Sequence, residues 1–166
     1  KLYNCDVIAT ASPDKLDKCL ELGADYAVDH RKEDWSKEVY KISKEIAKRK
    51  GEAPGIDLSF DHIGETHWNQ QLQLLKYGAT LVSCGATTGY NAKTDLRHVF
   101  FKGTNILGST QGTKAELDQA LYWMGQGKIK AAIDSTYTFE QAAEAHTKML
   151  TGKGMFGKIL MKPEGV

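Results

Sequence analysis

Short apolar runs alternate with longer amphipathic stretches almost from the first residue. Residues 6–11 (DVIATA) predict a buried strand. Ser12 is then expected to cap a helix with Pro13 at its first position, where the missing N–H costs nothing. That helix carries Leu16, Cys19 and Leu20 on one stripe and stops at Gly23. Residues 26–29 form a second short strand, and Asp34 opens a long helix to about Lys50. Its apolar stripe is Trp35, Val39, Ile42 and Ile46, and its other face, mostly Lys and Glu, is solvated. GEAPG breaks it. Residues 56–61 (IDLSFD) predict a third strand, residues 66–76 a helix holding Trp68, Leu72 and Leu75, and residues 80–84 (TLVSC) a fourth strand. After the turn-rich residues 85–90 come a short helix at 96–101 and a fifth strand at 105–109.

Thr113-Lys-Ala-Glu116 is a capping box whose helix runs to Gly125. Residues 131–138 alternate like a strand, Thr138-Phe-Glu-Gln141 opens a helix to about Leu150, and residues 156–161 close with a strand. Strands separated by helices imply right-handed βαβ units: an α/β protein with a doubly wound, mostly parallel sheet. Ligands of such sheets sit beyond the carboxyl ends of the strands. The turns that matter there are Ser12-Pro13, His30-Arg31, His62-Ile63-Gly64, Gly85-Ala86-Thr87 and Thr110-Gln111-Gly112. Most are small, polar or glycine-bearing, which lets a flat ligand approach backbone.

Composition narrows the function classes. A chain of 166 residues buries about 68–70% of its unfolded surface, enough for a core without staples. Twenty-two Lys and Arg against twenty-one Asp and Glu leave a net charge of +1, which argues against a broad basic face and hence against a nucleic-acid partner. Cys5, Cys19 and Cys84 are scattered and odd in number, so they imply no disulfide framework or zinc tetrad and predict buried, reduced thiols in a cytoplasmic protein. No apolar run approaches a membrane span, and KLYNCDVIAT is not a signal peptide. The partner expected is a small-molecule substrate. His62 and His67 flank Glu65 but nothing nearby completes a metal site. Asp57 and Asp61 lie four apart on one strand, too far to work as an acid–base pair. Phe100, Phe101 and Trp123 predict core or a subunit contact. No residue of this chain is assigned a catalytic or metal-binding role.

VIATASPDKLDKCLELGADYAVDHRKEDW, GIDLSFDHIGETHW, LKYGATLVSCGATTG, HVFFKGTNILGSTQG and the closing FGKILM, in this order and spacing, resemble the medium-chain dehydrogenase/reductase family. The branch is that of zinc-type alcohol dehydrogenases and quinone oxidoreductases. The resemblance implies a Rossmann-type sheet that is incomplete here. It lacks an N-terminal catalytic domain, the only place for zinc, and the opening strand with its GxGxxG loop. Residues 1–130 are then a partial dinucleotide-binding domain, and residues 131–166 a closing strand–helix–strand returning toward the catalytic domain. With strand order 3-2-1-4-5-6, the absent strand is central, and its two neighbours lose backbone partners. The chain alone is expected to be unstable and inactive, or to take that strand from elsewhere.

The nucleotide is argued by charge. NAD-binding folds place Asp or Glu at the end of the second strand, where it would repel a 2′-phosphate. This chain has Thr10, Ala11 and Ser12 there, then Lys15 on the first helical turn, while His30 and Arg31 follow the next strand. Ser12 can donate, Lys15 brings positive charge, and a helix N-terminus favours an anion. In the quinone oxidoreductase branch the matching serine, lysine and strand-end aromatic resemble the 2′-phosphate ligands, although His30 stands where Tyr is common. NADP(H) is the expected cofactor. A structural reading stays open beside this one: Ser12 as a cap alone, Lys15 as a solvated charge, and Arg31 as surface charge among Lys32 and Glu33. The resemblance places His62, Ile63 and Gly64 beside the adenine ribose, and Cys84, Gly85, Ala86, Ser109, Thr110 and Gln111 around the nicotinamide. Lys158 falls near a late pyrophosphate contact, with Gly157 as the other matching position. Residues 99–109 resemble an edge strand that pairs across a two-fold axis, so a homodimer through residues near 105–109 is expected. These features imply an NADP(H)-dependent oxidoreductase acting on alcohol/carbonyl, quinone or enone substrates. The alternative is a non-catalytic nucleotide-binding or crystallin-like structural protein. Thr10 argues against a Rossmann-like methyltransferase.

Overall fold

The computed structural model describes residues 2–152 and 154–163. The elements are β1 (Ile8–Ala11), α1 (Leu16–Glu21), β2 (Tyr26–Asp29), α2 (Trp35–Lys50), β3 (Ile56–Asp61), α3 (Trp68–Leu74) and β4 (Leu75–Ser83). They continue with α4 (Leu96–Phe100), β5 (Asn105–Gly108), α5 (Lys114–Gly125), β6 (Ile133–Thr138), α6 (Ala142–Thr151) and β7 (Lys158–Lys162). The strands form three sheets, β1-β2, β3-β4-β5 and β6-β7, and both pairs of the middle sheet and the last pair are parallel. This is the α/β architecture that the alternating pattern predicts. The chain divides into two compact units, residues 28–112 and residues 1–27 with 113–166.

In the 28–112 unit, Leu72, Leu75, Ala79 and Leu81 form the core, with Ile56 and Trp68 packed against it. Leu72 and Leu81 are fully buried because α3 lies on the face of β4 that carries Leu81. The buried line of α2 is Trp35, Val39, Ser43 and Ala47, while Ile42 and Ile46 sit half-buried beside it. Ser43 accepts from Gly55 N (3.1 Å) and donates to the Tyr40 carbonyl (2.7 Å), which ties α2 to the turn before β3.

Several elements depart from their predicted bounds: β1 and β6 start two residues late, β4 starts five residues early, β7 covers 158–162 instead of 156–161, and α3 and α1 differ for reasons the side chains show. The helix expected to reach residue 76 ends at Leu74, and Leu75 turns extended (ψ 142°) to pair with Ile56. Lys102 makes this early end possible: its Nζ donates to the carbonyls of Gln73 (2.7 Å), Leu75 (2.8 Å) and Leu72 (3.4 Å), supplying the partners that further helix would have supplied. Burial holds the Lys102 ammonium below its ordinary pKa. At the other site, Ser12 has the extended backbone of a cap, but its side chain makes no capping bond. Pro13–Lys15 form a 3-10 turn instead, closed by Lys15 N donating to the Ser12 carbonyl (2.9 Å).

In the other unit, Asp25 accepts from Val7 N (2.8 Å), and the Lys18 ammonium lies 5.5 Å from the Phe156 ring centre. Asp134, its side chain 6% exposed, accepts from Lys148, Ser135 Oγ and Phe156 N, so one carboxylate joins β6, α6 and the approach to β7. Both capping boxes, Thr113 with Glu116 and Thr138 with Gln141, are formed. The three cysteines are free, and none is buried as expected. Cys5 and Cys84 are exposed, and Cys19 is half-buried.

Candidate functional site

The carboxyl ends of β3, β4 and β5 lie level, since Asp61 pairs with Ser83 and Ser83 with Gly108. Three of the turns singled out above therefore leave the sheet side by side. Cys84 N donates to the Asp61 carbonyl (2.8 Å) and Ser109 N to the Ser83 carbonyl (2.9 Å), so the ladder runs one residue past each strand. This is why Cys84 is exposed: it follows the end of β4 instead of lying within it.

The His62–Gly64 turn and the segment after β4 are interlocked. Thr87 N (3.3 Å) and Thr87 Oγ1 (2.9 Å) donate to the His62 carbonyl, and Thr88 N and Oγ1 donate to the Ile63 carbonyl, both at 2.8 Å. Gly64 holds φ +85°, and a Cβ there would stand 2.6 Å from the Gly89 carbonyl oxygen and 3.0 Å from Ala86 Cα. A Cβ on Gly85 would stand 3.1 Å from the His62 carbonyl oxygen. Gly64 is required by its φ and by this close approach of backbone to backbone, whereas a Cβ on Gly85 would push the His62 carbonyl back by a few tenths of an ångström. Residues 83–86 and 108–111 line an open depression, furnished only with small side chains and one carboxamide, Gln111.

Asp61 anchors the arrangement from inside. It is 1% exposed. Its Oδ1 accepts from Gln71 Nε2 (2.7 Å), Ile63 N (3.1 Å) and Gly64 N (3.3 Å), and its Oδ2 from Gly64 N (3.2 Å). Gln71 in turn accepts from Ser59 Oγ (2.6 Å). Sequence reasoning weighed Asp61 only as one half of an acid–base pair and missed this role. The signal was present: an Asp at a strand end, two and three residues before a backbone that turns at glycine, is the pattern of an Asx turn. Thr87 and Thr88 were also missed, because their partners lie 25 residues away.

His30, half-buried after β2, reaches this cluster through His67: the two rings meet edge to face with centres 5.5 Å apart, and His67 also packs edge-on against buried Trp35 at 5.0 Å. His67 Nδ1 is buried without a hydrogen-bond partner. Burial first, and the neighbouring His30 second, hold the His67 imidazole below its ordinary pKa against the pull of Asp61 and of the Thr66 backbone carbonyl. Arg31 is exposed, and its N–H donates to Asp29 Oδ1 (2.9 Å).

Thr10, Ser12, Lys15 and Lys158 belong to the other unit. Thr10 is exposed at the end of β1, and Lys15 is half-buried at the start of α1, where burial pushes the Cys19 thiol up and the Lys15 charge only partly opposes it. Lys158 is exposed at the start of β7, and its N–H donates to the Ala132 carbonyl (2.8 Å). Gly157 has φ +102°, and a Cβ there would clash with the Ala132 oxygen, 2.3 Å away, so position 157 has no room for a basic side chain. Among the described residues no three His, Cys, Asp or Glu side chains converge, and these residues do not fit a zinc ion. No helix among the described residues is long and apolar enough to cross a membrane.

Comparison with known proteins gives a consistent picture. Residues 1–126 match the family of zinc-binding dehydrogenases. Crotonyl-CoA reductase of Streptomyces collinus is 28% identical over 95% of this chain and 38% of its own length. Quinone oxidoreductase of Homo sapiens is 27% identical over 97% of this chain and 48% of its own. The crystal structure of an NAD-dependent alcohol dehydrogenase superposes on 97% of this chain and 45% of that one with a TM-score of 0.84 and 31% identity. The chain spans less than half the length of these relatives.

Proposed function

The chain belongs to the zinc-binding dehydrogenase family, within the medium-chain dehydrogenases/reductases, and from that premise we propose that it is the nucleotide-holding part of an NADP(H)-dependent oxidoreductase. Its substrates would be carbonyls and alcohols, quinones or activated alkenes, the classes in the names of its relatives. The open depression of residues 83–86 and 108–111, with small side chains at level strand ends, fits a flat ring and supports this reading. A bound nicotinamide would supply the hydride chemistry. The chain's own groups bind and orient. The segments after β4 and β5 present backbone to the ring, the His62–Gly64 turn flanks the adenosine, and no side chain here is assigned a proton.

The preference for NADP(H) rests on one observation. Ser12 follows β1 with no carboxylate at positions 10–12, its hydroxyl is not used as a cap, and Lys15 opens the next helix. A serine needed only for capping would make that bond. Titration of the intact protein with both reduced nucleotides tests this. NADPH should bind the more tightly, and Lys15→Ala should weaken NADPH about tenfold, the worth of one charge-assisted contact, while sparing NADH. Equal or tighter NADH binding would refute the preference. Binding of NADPH without turnover of any carbonyl, quinone or enone would favour the non-catalytic alternative.

A homodimer through β5 and a cytoplasmic location are part of the proposal. β5 ends its sheet with all four residues exposed, and Phe100 and Phe101, 70% and 71% exposed, are not core. Light scattering at micromolar concentration showing a monomer would remove the dimer.

A further inference from the structure

We propose that Asp61 and Thr88 are positioning residues for nucleotide binding, holding the His62–Gly64 turn from its two sides. This rests on the reading that the turn flanks the adenosine. Two observations carry it. Asp61 is 1% exposed, yet its hydrogen-bond donors among the described residues are uncharged: two backbone N–H groups of the turn and one Gln71 amide. A carboxyl group buried on uncharged donors carries a desolvation cost that an apolar residue at the same place would not. What the apolar residue could not do is fix two consecutive backbone amides in one orientation. Thr88 works on the opposite side of the same turn. Its Oγ1 donates to the Ile63 carbonyl (2.8 Å) and accepts from Thr66 N (3.2 Å), beside Thr88 N on that same carbonyl.

The amides of Ile63 and Gly64 are thus held by Asp61, and the carbonyls of His62 and Ile63 by Thr87 and Thr88. With its amides and carbonyls both engaged, the turn offers a ligand its side chains and one outward face in a geometry set before binding. Preorganisation of this kind lowers the ordering cost of association. Gln71 sets the Asp61 rotamer, and Ser59 sets Gln71, so the anchor reaches back into α3 and β3.

The test uses the intact protein, with NADPH affinity and melting temperature measured on the same samples. Asp61→Ala removes every acceptor and should weaken NADPH about tenfold, the equivalent of one or two net hydrogen bonds. Asp61→Asn retains an oxygen at the Oδ1 position, where three of the four bonds are made, and should bind NADPH within about threefold of the parent. Thr88→Val, at an exposed position, should weaken NADPH about threefold while the melting temperature falls by no more than a few degrees. Folded Asp61→Ala that binds like the parent, or Asp61→Asn as impaired as Asp61→Ala, overturns the role of Asp61. Should Asp61→Ala not fold, Thr88→Val decides, and unchanged affinity overturns the inference. A parent protein that binds neither NADPH nor NADH overturns the proposed function itself. A parent that binds, with variants that bind equally, overturns only this inference.

Discussion

Gly64→Ala separates two costs that glycines usually confound. At φ +85° any side chain carries the left-handed penalty of about 1–2 kcal/mol. The new Cβ would also meet backbone on the facing segment, 2.6 Å from the Gly89 oxygen and 3.0 Å from Ala86 Cα. Backbone cannot rotate aside as a side chain can, so residues 86–89 must retreat. The bonds that span the gap then lengthen: Glu65 N to the Gly89 carbonyl (3.2 Å) and Thr88 N to the Ile63 carbonyl (2.8 Å). Each is worth about 1 kcal/mol net. The expected loss is about 2–4 kcal/mol, together with weaker NADPH binding. Gly51 is the control. It closes α2 at φ +71°, and a Cβ there would meet nothing within 4 Å, so Gly51→Ala should cost about 1 kcal/mol from backbone strain alone and leave NADPH affinity unchanged. Urea denaturation and nucleotide titration of the two variants in the intact protein make the comparison. Equal destabilisation by the two substitutions would show that the turn and the segment after β4 are not in close contact, and the interlocked site would fail with it.

Acid should destabilise the protein through His67, whose imidazole is held below its ordinary value of 6.5 by burial and by His30. As pH falls through that value the unfolded chain takes up a proton that the folded residue resists, so stability is full above it and declines below. His67→Phe, which keeps the edge-on contact with Trp35, should flatten the dependence of melting temperature on pH between about 5 and 8, and an unaltered profile would refute the assignment. Leu72→Ala empties a fully buried position and should cost about 2–5 kcal/mol in denaturant unfolding, and a loss under about 1 kcal/mol would contradict the packing around Leu81. Thr113→Ala removes the hydroxyl that accepts from Glu116 N (3.3 Å) and should cost about 1 kcal/mol with α5 fraying first, as hydrogen exchange would show.

Most of the element order was legible along the chain because it depends on neighbours close in sequence. β2, β3 and α5 begin and end where apolar period, capping residues and glycines place them, and both capping boxes form, since a box needs only residues three apart. The errors fall where distant groups compete. Lys102 lets α3 stop before Leu75, although it lies 27 residues beyond that carbonyl. Ser43 and Ala47 displace Ile42 and Ile46 from the buried line because Ser43 is needed by Gly55. Cys84 looked like strand interior and is instead the first residue past the strand end.

The candidate site divides the same way. Local chemistry marked the turns: small residues and glycines after each strand, and no carboxylate at positions 10–12. Periodicity and caps are one-dimensional signals, so the order of strands and helices needed nothing more. Which turns touch, which backbone groups Asp61 secures, and why Gly64 and Gly157 cannot carry a side chain depend on approaches of a few ångströms between segments far apart in the chain. Those distances exist only once the strands are laid side by side in register, and the tertiary structure alone decided them.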